Sequence, residues 1–156
     1  MLLPMVLNSM NLAQREQQVN EILQLNDESS KYGMVLTAND VLQLLEARNG
    51  FLQHIGRIDI GIEVSKSIIS NFSNSSFIIP EIYVATLHEL HEIFYYMKNE
   101  TEDKIGDDAL IKLMKEYFET TCGGSVELLK GNLHIFAEDF RKKNWLEKLK
   151  TEEAID

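Results

Sequence analysis

Apolar residues recur along this chain mainly at spacings of three and four, the repeat that lines them up on one side of a helix. The clearest run is Tyr83, Leu87, Leu90, Phe94 and Met97, flanked by Thr86 and Ile93. An arc that wide predicts a helix from Pro80 to about Lys98 at the centre of a bundle. Pro80 suits its first turn, and Phe77-Ile78-Ile79 reads as a short extended lead-in after a turn at 71–76.

The same reading applied along the chain gives further helices. Residues 8–26 form the first, with Asn8 or Ser9 as cap and a thin stripe of Leu12, Val19, Ile22 and Leu23. Asn26 to Gly33 is a polar connector and the best boundary. Thr37 and Asp40 resemble a capping box, so a second helix starts near Ala38 and turns Val41, Leu44, Leu45, Leu52 and Ile55 inward. Arg48 falls on that stripe and must snorkel or find a carboxylate. Asn49-Gly50 is a point where this helix could bend or end.

Ile58, Ile60, Ile62 and Val64 alternate with Asp59, Gly61 and Glu63, which is a strand signal. No second strand pattern exists to pair with it, so its backbone groups would go unused. Residues 56–60 therefore read as extended or a turn. A third helix follows from about Gly61 to Asn71, with Val64, Ile68, Ile69 and Phe72 inside.

Asp107 can cap a fifth helix with Leu110, Ile111, Met114, Tyr117 and Phe118 inward, and Cys122-Gly123-Gly124 stops it. Ser125 can cap a sixth, whose face of Val126, Leu129, Leu133, Ile135, Phe136 and Phe140 runs through Gly131, with Trp145, Leu146 and Leu149 extending it. The expected fold is an all-α, single-domain bundle of five or six helices. Residues 1–33 make an N-terminal helix and connector, 34–150 the helical domain and 151–156 a polar tail.

Charge narrows the partners. The 156 residues carry a net charge of −10, and no basic block offsets it. Nucleic acid and membrane are thus not expected partners, since both call for clustered Lys and Arg. Arg141-Lys142-Lys143 reads as the solvated end of a helix. One cysteine, Cys122, excludes an internal disulfide framework. Met1 to Leu7 is apolar but lacks a cationic lead and a cleavage site, and no stretch is long enough to span a bilayer, so a cytoplasmic setting is expected.

Three clusters could carry chemistry. His88, His91 and Glu92 could share a helix face as part of a metal site, yet they lack the zinc-protease spacing, and a solvated pair is the plainer reading. The acidic run Glu100, Glu102, Asp103, Asp107 and Asp108 fails the calcium-loop spacing, with Lys104 and Leu110 where glycine and glutamate belong. Tyr95, Lys98, Asn99, Glu100 and Asp103 mix hydroxyl, ammonium, amide and carboxylate at a helix end. They make either a polar pocket, with Arg48 and Arg57 as anion partners, or a C-terminal cap in which Asn99 turns left-handed. Cys122-Gly123-Gly124-Ser125 has no acid or base at a telling spacing and reads as a helix stop and a new cap. No phosphate loop, nucleophile elbow or RNA-binding aromatic motif is present, and no cofactor is expected.

These residues also resemble a family. Val35-Leu36-Thr37, Ala47-Arg48-Asn49, Gly56-Arg57-Ile58, Ser76, Thr86-Leu87, Phe94-Tyr95-Tyr96, Lys98-Asn99-Glu100-Thr101, Asp103, Asp107-Asp108, Cys122, Gly124-Ser125, Glu127 and Leu128 are similar to a small bacterial family known only as a domain of unknown function. The resemblance covers about Met34 to Ala137. It implies a cytoplasmic helical protein and supplies no catalytic residue. The family pattern dwells on Arg57, Lys98, Asn99, Glu100 and Asp103 and does not include His88 or His91; at Ile79-Pro80 its members more often carry a polar cap. The expected function is a non-enzymatic interaction or regulatory subunit, with a protein partner or self-association through residues 8–26. The alternative is a ligand-binding or catalytic module at the Tyr95 to Asp103 corner with Arg57.

Overall fold

The computed structural model describes the backbone of residues 12–155 and the side chains of residues 12–150. Every regular element among them is helical. The order is α1 (Leu12–Leu23), α2 (Asn26–Ser29), a 3-10 turn (Ser30–Tyr32), α3 (Ala38–His54), α4 (Glu63–Phe72), a second 3-10 turn (Pro80–Ile82), α5 (Tyr83–Glu100), α6 (Asp107–Glu119) and α7 (Val126–Ile155). Six of these helices have ten residues or more, so the all-α expectation holds. Among the described residues no helix is long and apolar enough to cross a membrane. The caps proposed at Asn8 and Ser9 lie outside the described residues.

The chain divides into two compact units, Met1–Glu92 and Ile93–Asp156. In the first, α1 packs on α3, burying Val19 and Ile22. The polar connector is folded: the Asn26 side chain donates to the Leu36 carbonyl at 2.8 Å and accepts from its amide at 2.9 Å, while Ser29 donates to the Met34 carbonyl. Gly33 ends this turn at φ 82°, a left-handed conformation that glycine adopts without a side-chain clash.

Thr37 and Asp40 close the capping box, with the Thr37 hydroxyl accepting from the Asp40 amide and Asp40 accepting from the Thr37 amide. Such a cap contributes about 1 kcal/mol. The helix behind it continues through Asn49-Gly50 and buries Val41, Leu44, Leu45 and Leu52. Ile55 is only half-buried at the end.

Arg48 explains why the alternating stretch needs no partner strand. It is 4% exposed, and its guanidinium donates to the carbonyls of Gly61 at 2.6 Å and Asp59 at 2.9 Å. Gln18 takes the intervening Ile60 carbonyl at 2.8 Å. Three successive acceptors are thus met by side chains rather than by a sheet, and Ile58 and Ile60 face solvent. Helix α4 then starts at Glu63, later than the sequence suggests, and its buried face is Ser65, Ile68, Ile69 and Phe72.

The seven apolar and threonine positions of α5 are all buried, and the helix runs two residues past Lys98, to Glu100. In the second unit α6 packs on α7. Gly106, not Asp107, occupies the cap position of α6; Asp107 and Asp108 lie in the first turn, where carboxylates favour the helix dipole. Leu110, Ile111, Met114 and Phe118 are buried, while Tyr117 is half-buried edge-on against Phe136. After a turn at Gly123 and Gly124, both left-handed, Ser125 caps α7 by accepting from the Leu128 amide. Helix α7 passes straight through Gly131, and its backbone stays helical to Ile155, beyond the start of the expected polar tail. Ile135 is 58% exposed rather than inward; Leu129, Leu133 and Ala137 carry the buried face.

Candidate functional site

The Tyr95 to Asp103 corner is a helix C-terminus closed on itself. The Asp103 amide reaches back to the Lys98 carbonyl at 2.8 Å and the Glu102 amide to the Asn99 carbonyl at 3.2 Å, the two-bond pattern of a Schellman cap. The left-handed residues are Glu102 at φ 54° and Asp103 at φ 58°, whereas Asn99, expected to turn, remains helical and exposed. A left-handed residue with a Cβ costs roughly 1–2 kcal/mol. Lys98 supports the arrangement: its amine meets Asp107 Oδ1 at 2.8 Å, the Ile105 carbonyl at 2.8 Å and Asp103 Oδ1 at 3.8 Å. With only 12% of its side chain exposed, the cation is spent on the 101–106 turn.

The remaining corner residues diverge. Tyr95 is 5% exposed and edge-on to Phe94, a core aromatic. Glu100 is paired with Arg141 of α7 at 3.0 Å. Arg57 follows α3 in the first unit, half-buried, with its amide bonded to the Leu52 carbonyl.

The histidine pair splits by environment. His91 is 2% exposed, with Nδ1 at 2.7 Å from the Leu87 carbonyl and Nε2 at 2.9 Å from the Ser65 hydroxyl. A carbonyl only accepts, so Nδ1 carries the hydrogen and Nε2 accepts from Ser65. Burial lowers its pKa to about 4, the Leu87 bond opposes this, and Arg48 and His88 lower it further. Glu92 is exposed, so it and His91 face different surroundings. Among the described residues no group of three His, Cys, Asp or Glu could hold a metal ion. Cys122 is buried, which pushes its thiol pKa up, with a bond from Asn132 pulling the other way.

One constellation was not read from the sequence. The Tyr96 hydroxyl lies 2.6 Å from His134 Nδ1, and His134 Nε2 lies 2.8 Å from Glu138 Oε1. Tyr96 also bonds Glu100; burial first, then that carboxylate, raises the phenol's pKa, so it is held protonated. A phenol has one hydrogen to give. It therefore serves either Glu100 or His134 Nδ1, not both at once. The helical i, i+4 pairs Tyr96/Glu100 and His134/Glu138 were visible signals, but nothing local joins Tyr96 to His134, 38 residues along the chain.

The first unit also holds an open groove of about 470 Å³ on α1 and α3, lined by Leu12, Val19, Ala38 and Leu42 with Arg15, Glu16 and Asn20. Leu12 at its edge is 74% exposed.

No curated protein and no solved structure matches the chain. A family model described as "Family of unknown function (DUF6323)" matches residues 21–146, extending beyond the Met34 to Ala137 segment at both ends. With that span covering well over half of its length, the chain belongs to the DUF6323 family.

Proposed function

We propose that this chain is a non-enzymatic protein-interaction module whose α1–α3 groove receives an apolar segment of a protein partner. The observation that supports this reading is the groove itself: open, and lined by the aliphatic side chains of Leu12, Val19, Ala38 and Leu42 together with Arg15, Glu16 and Asn20. Apolar surface flanked by charge suits a protein side chain with polar neighbours. The polar groups nominated for chemistry have internal tasks instead. Lys98 ties a turn, His91 bonds at both nitrogens, and Arg48 holds a loop.

The test is a photo-crosslinking amino acid placed at Leu42 in cells. The expected result is one dominant adduct that disappears when Leu12→Asp is added, because that change puts charge at the exposed groove edge. An adduct with a second copy would assign the groove to self-association through residues 8–26. A labelling pattern identical to that from Glu46, an exposed residue on the same helix, would overturn the proposal.

A further inference from the structure

We infer that residues 141–150 of α7 dock on an anionic lipid surface, with Trp145, Leu146 and Leu149 entering the headgroup layer and lysines on either flank meeting its phosphates. As the solvated end of a helix, Arg141-Lys142-Lys143 would be explained by the dipole alone. The structure removes that explanation, because α7 continues to Ile155 and these residues lie mid-helix. At 3.6 residues per turn the segment sorts by chemistry. Trp145, Leu149 and Leu146 share an arc of about 100°, and they are 62%, 37% and 56% exposed. Lys143 and Lys150 fall about 90–110° to one side of the centre of that arc, and Arg141 and Lys148 as far to the other. Glu147 lies on the opposite side. Lys142 stands on the line of the arc, one turn before Leu146, and all four lysines are exposed. Arg141 holds Glu100 at 3.0 Å, which ties the start of the segment to α5. The arc is turned about 190° from the centre of Leu129, Leu133 and Ala137, the buried side of the same helix, so it faces outward.

Charge and the shape of the patch select the occupant. In a chain of net charge −10, residues 141–150 carry five cations against the single carboxylate Glu147. A Trp and Leu arc rimmed by lysines is the pattern of a helix lying in a lipid interface, where long stems let the ammonium groups rise to the phosphates. Tryptophan favours that same layer. A helix that fills a protein groove instead carries anchors at i, i+3 or i+4, and i+7. Here the three anchors lie within little more than one turn, which suits shallow insertion. Glu138 and Asp139 share the outward side of α7 about 9 Å or more before Trp145. The helix therefore meets the surface tilted, by its basic segment, rather than along its whole length. Salt screens the remaining negative charge over roughly that distance, about 8–10 Å. The surface belongs to the second unit, and the inference does not rest on the α1–α3 groove.

Trp145 is the chain's only tryptophan, so its fluorescence reports the contact directly. The intact chain is titrated with vesicles of phosphatidylcholine containing about 30% phosphatidylglycerol, and separately with phosphatidylcholine alone. The expected result is a blue shift of the emission with the anionic vesicles only. A chain carrying both Lys143→Gln and Lys150→Gln should need about tenfold more lipid for half of that shift. Both lysines are exposed, so circular dichroism should show an unchanged helix content. No shift with the anionic vesicles, or an equal shift with phosphatidylcholine alone, overturns the inference. So does a shift that develops without lipid as protein concentration rises, which would assign the arc to a second copy. A shift that polyglutamate reproduces in place of vesicles also overturns it, and would assign the segment to an acidic protein.

Discussion

Acid should unfold this protein earlier than its carboxylates alone would, because of His91. An imidazole with an unperturbed pKa of 6.5 has its pKa held at about 4 in the folded chain. The unfolded chain therefore binds a proton that the folded one refuses. The group's folded value is depressed, so its stabilisation is present above pH 6.5 and drains away as pH falls towards 4. At 1.36 kcal/mol per pKa unit the full effect is about 3 kcal/mol, and about 2 kcal/mol of it is lost between pH 7 and pH 5. Arg48 and His88 face the ring and add to its depression, while Ser65 and Leu87 fix the neutral tautomer. The assay is urea denaturation followed by far-ultraviolet circular dichroism at pH 7, 6 and 5, on the natural chain and on His91→Gln. Glutamine keeps a donor and an acceptor but does not titrate. The natural chain should lose about 2 kcal/mol over this range, and the variant should start lower but lose little. Equal losses in the two proteins would refute the reasoning.

Other perturbations probe separate features. Arg48→Leu keeps apolar volume but strands the carbonyls of Asp59 and Gly61, and denaturant unfolding should show a loss of roughly 2–4 kcal/mol. Tyr83 is buried with no partner for its hydroxyl, and burial raises its pKa to about 12. Tyr83→Phe should therefore be neutral or stabilise the fold by up to about 1 kcal/mol, measured as an equal or higher melting temperature. Glu102→Gly relieves a left-handed residue and should add about 1 kcal/mol of stability, read from the denaturation midpoint. Lys98→Ala should cost roughly 1–3 kcal/mol, because a mostly buried cation with close partners at Asp107 and Ile105 is removed.

What the sequence displayed well was local. The Thr37–Asp40 box, the Ser125 cap and the α5 stripe each depend on residues within a turn or two, so spacing alone located them. What it hid were contacts chosen by the fold. Arg48 was due to find a carboxylate or snorkel, but it collects carbonyls 11 and 13 residues away, a choice that no periodicity encodes. Asn99 was the natural left-handed residue by type, since asparagine tolerates that conformation. The helix instead runs on to Glu100, because Lys98 can then reach Asp107 and Ile105, and the strain moves to Glu102 and Asp103. Ile135 was placed inward by counting every apolar residue of α7 onto one side. Two positions along from Leu133, it lies about 200° round the helix, on the opposite face.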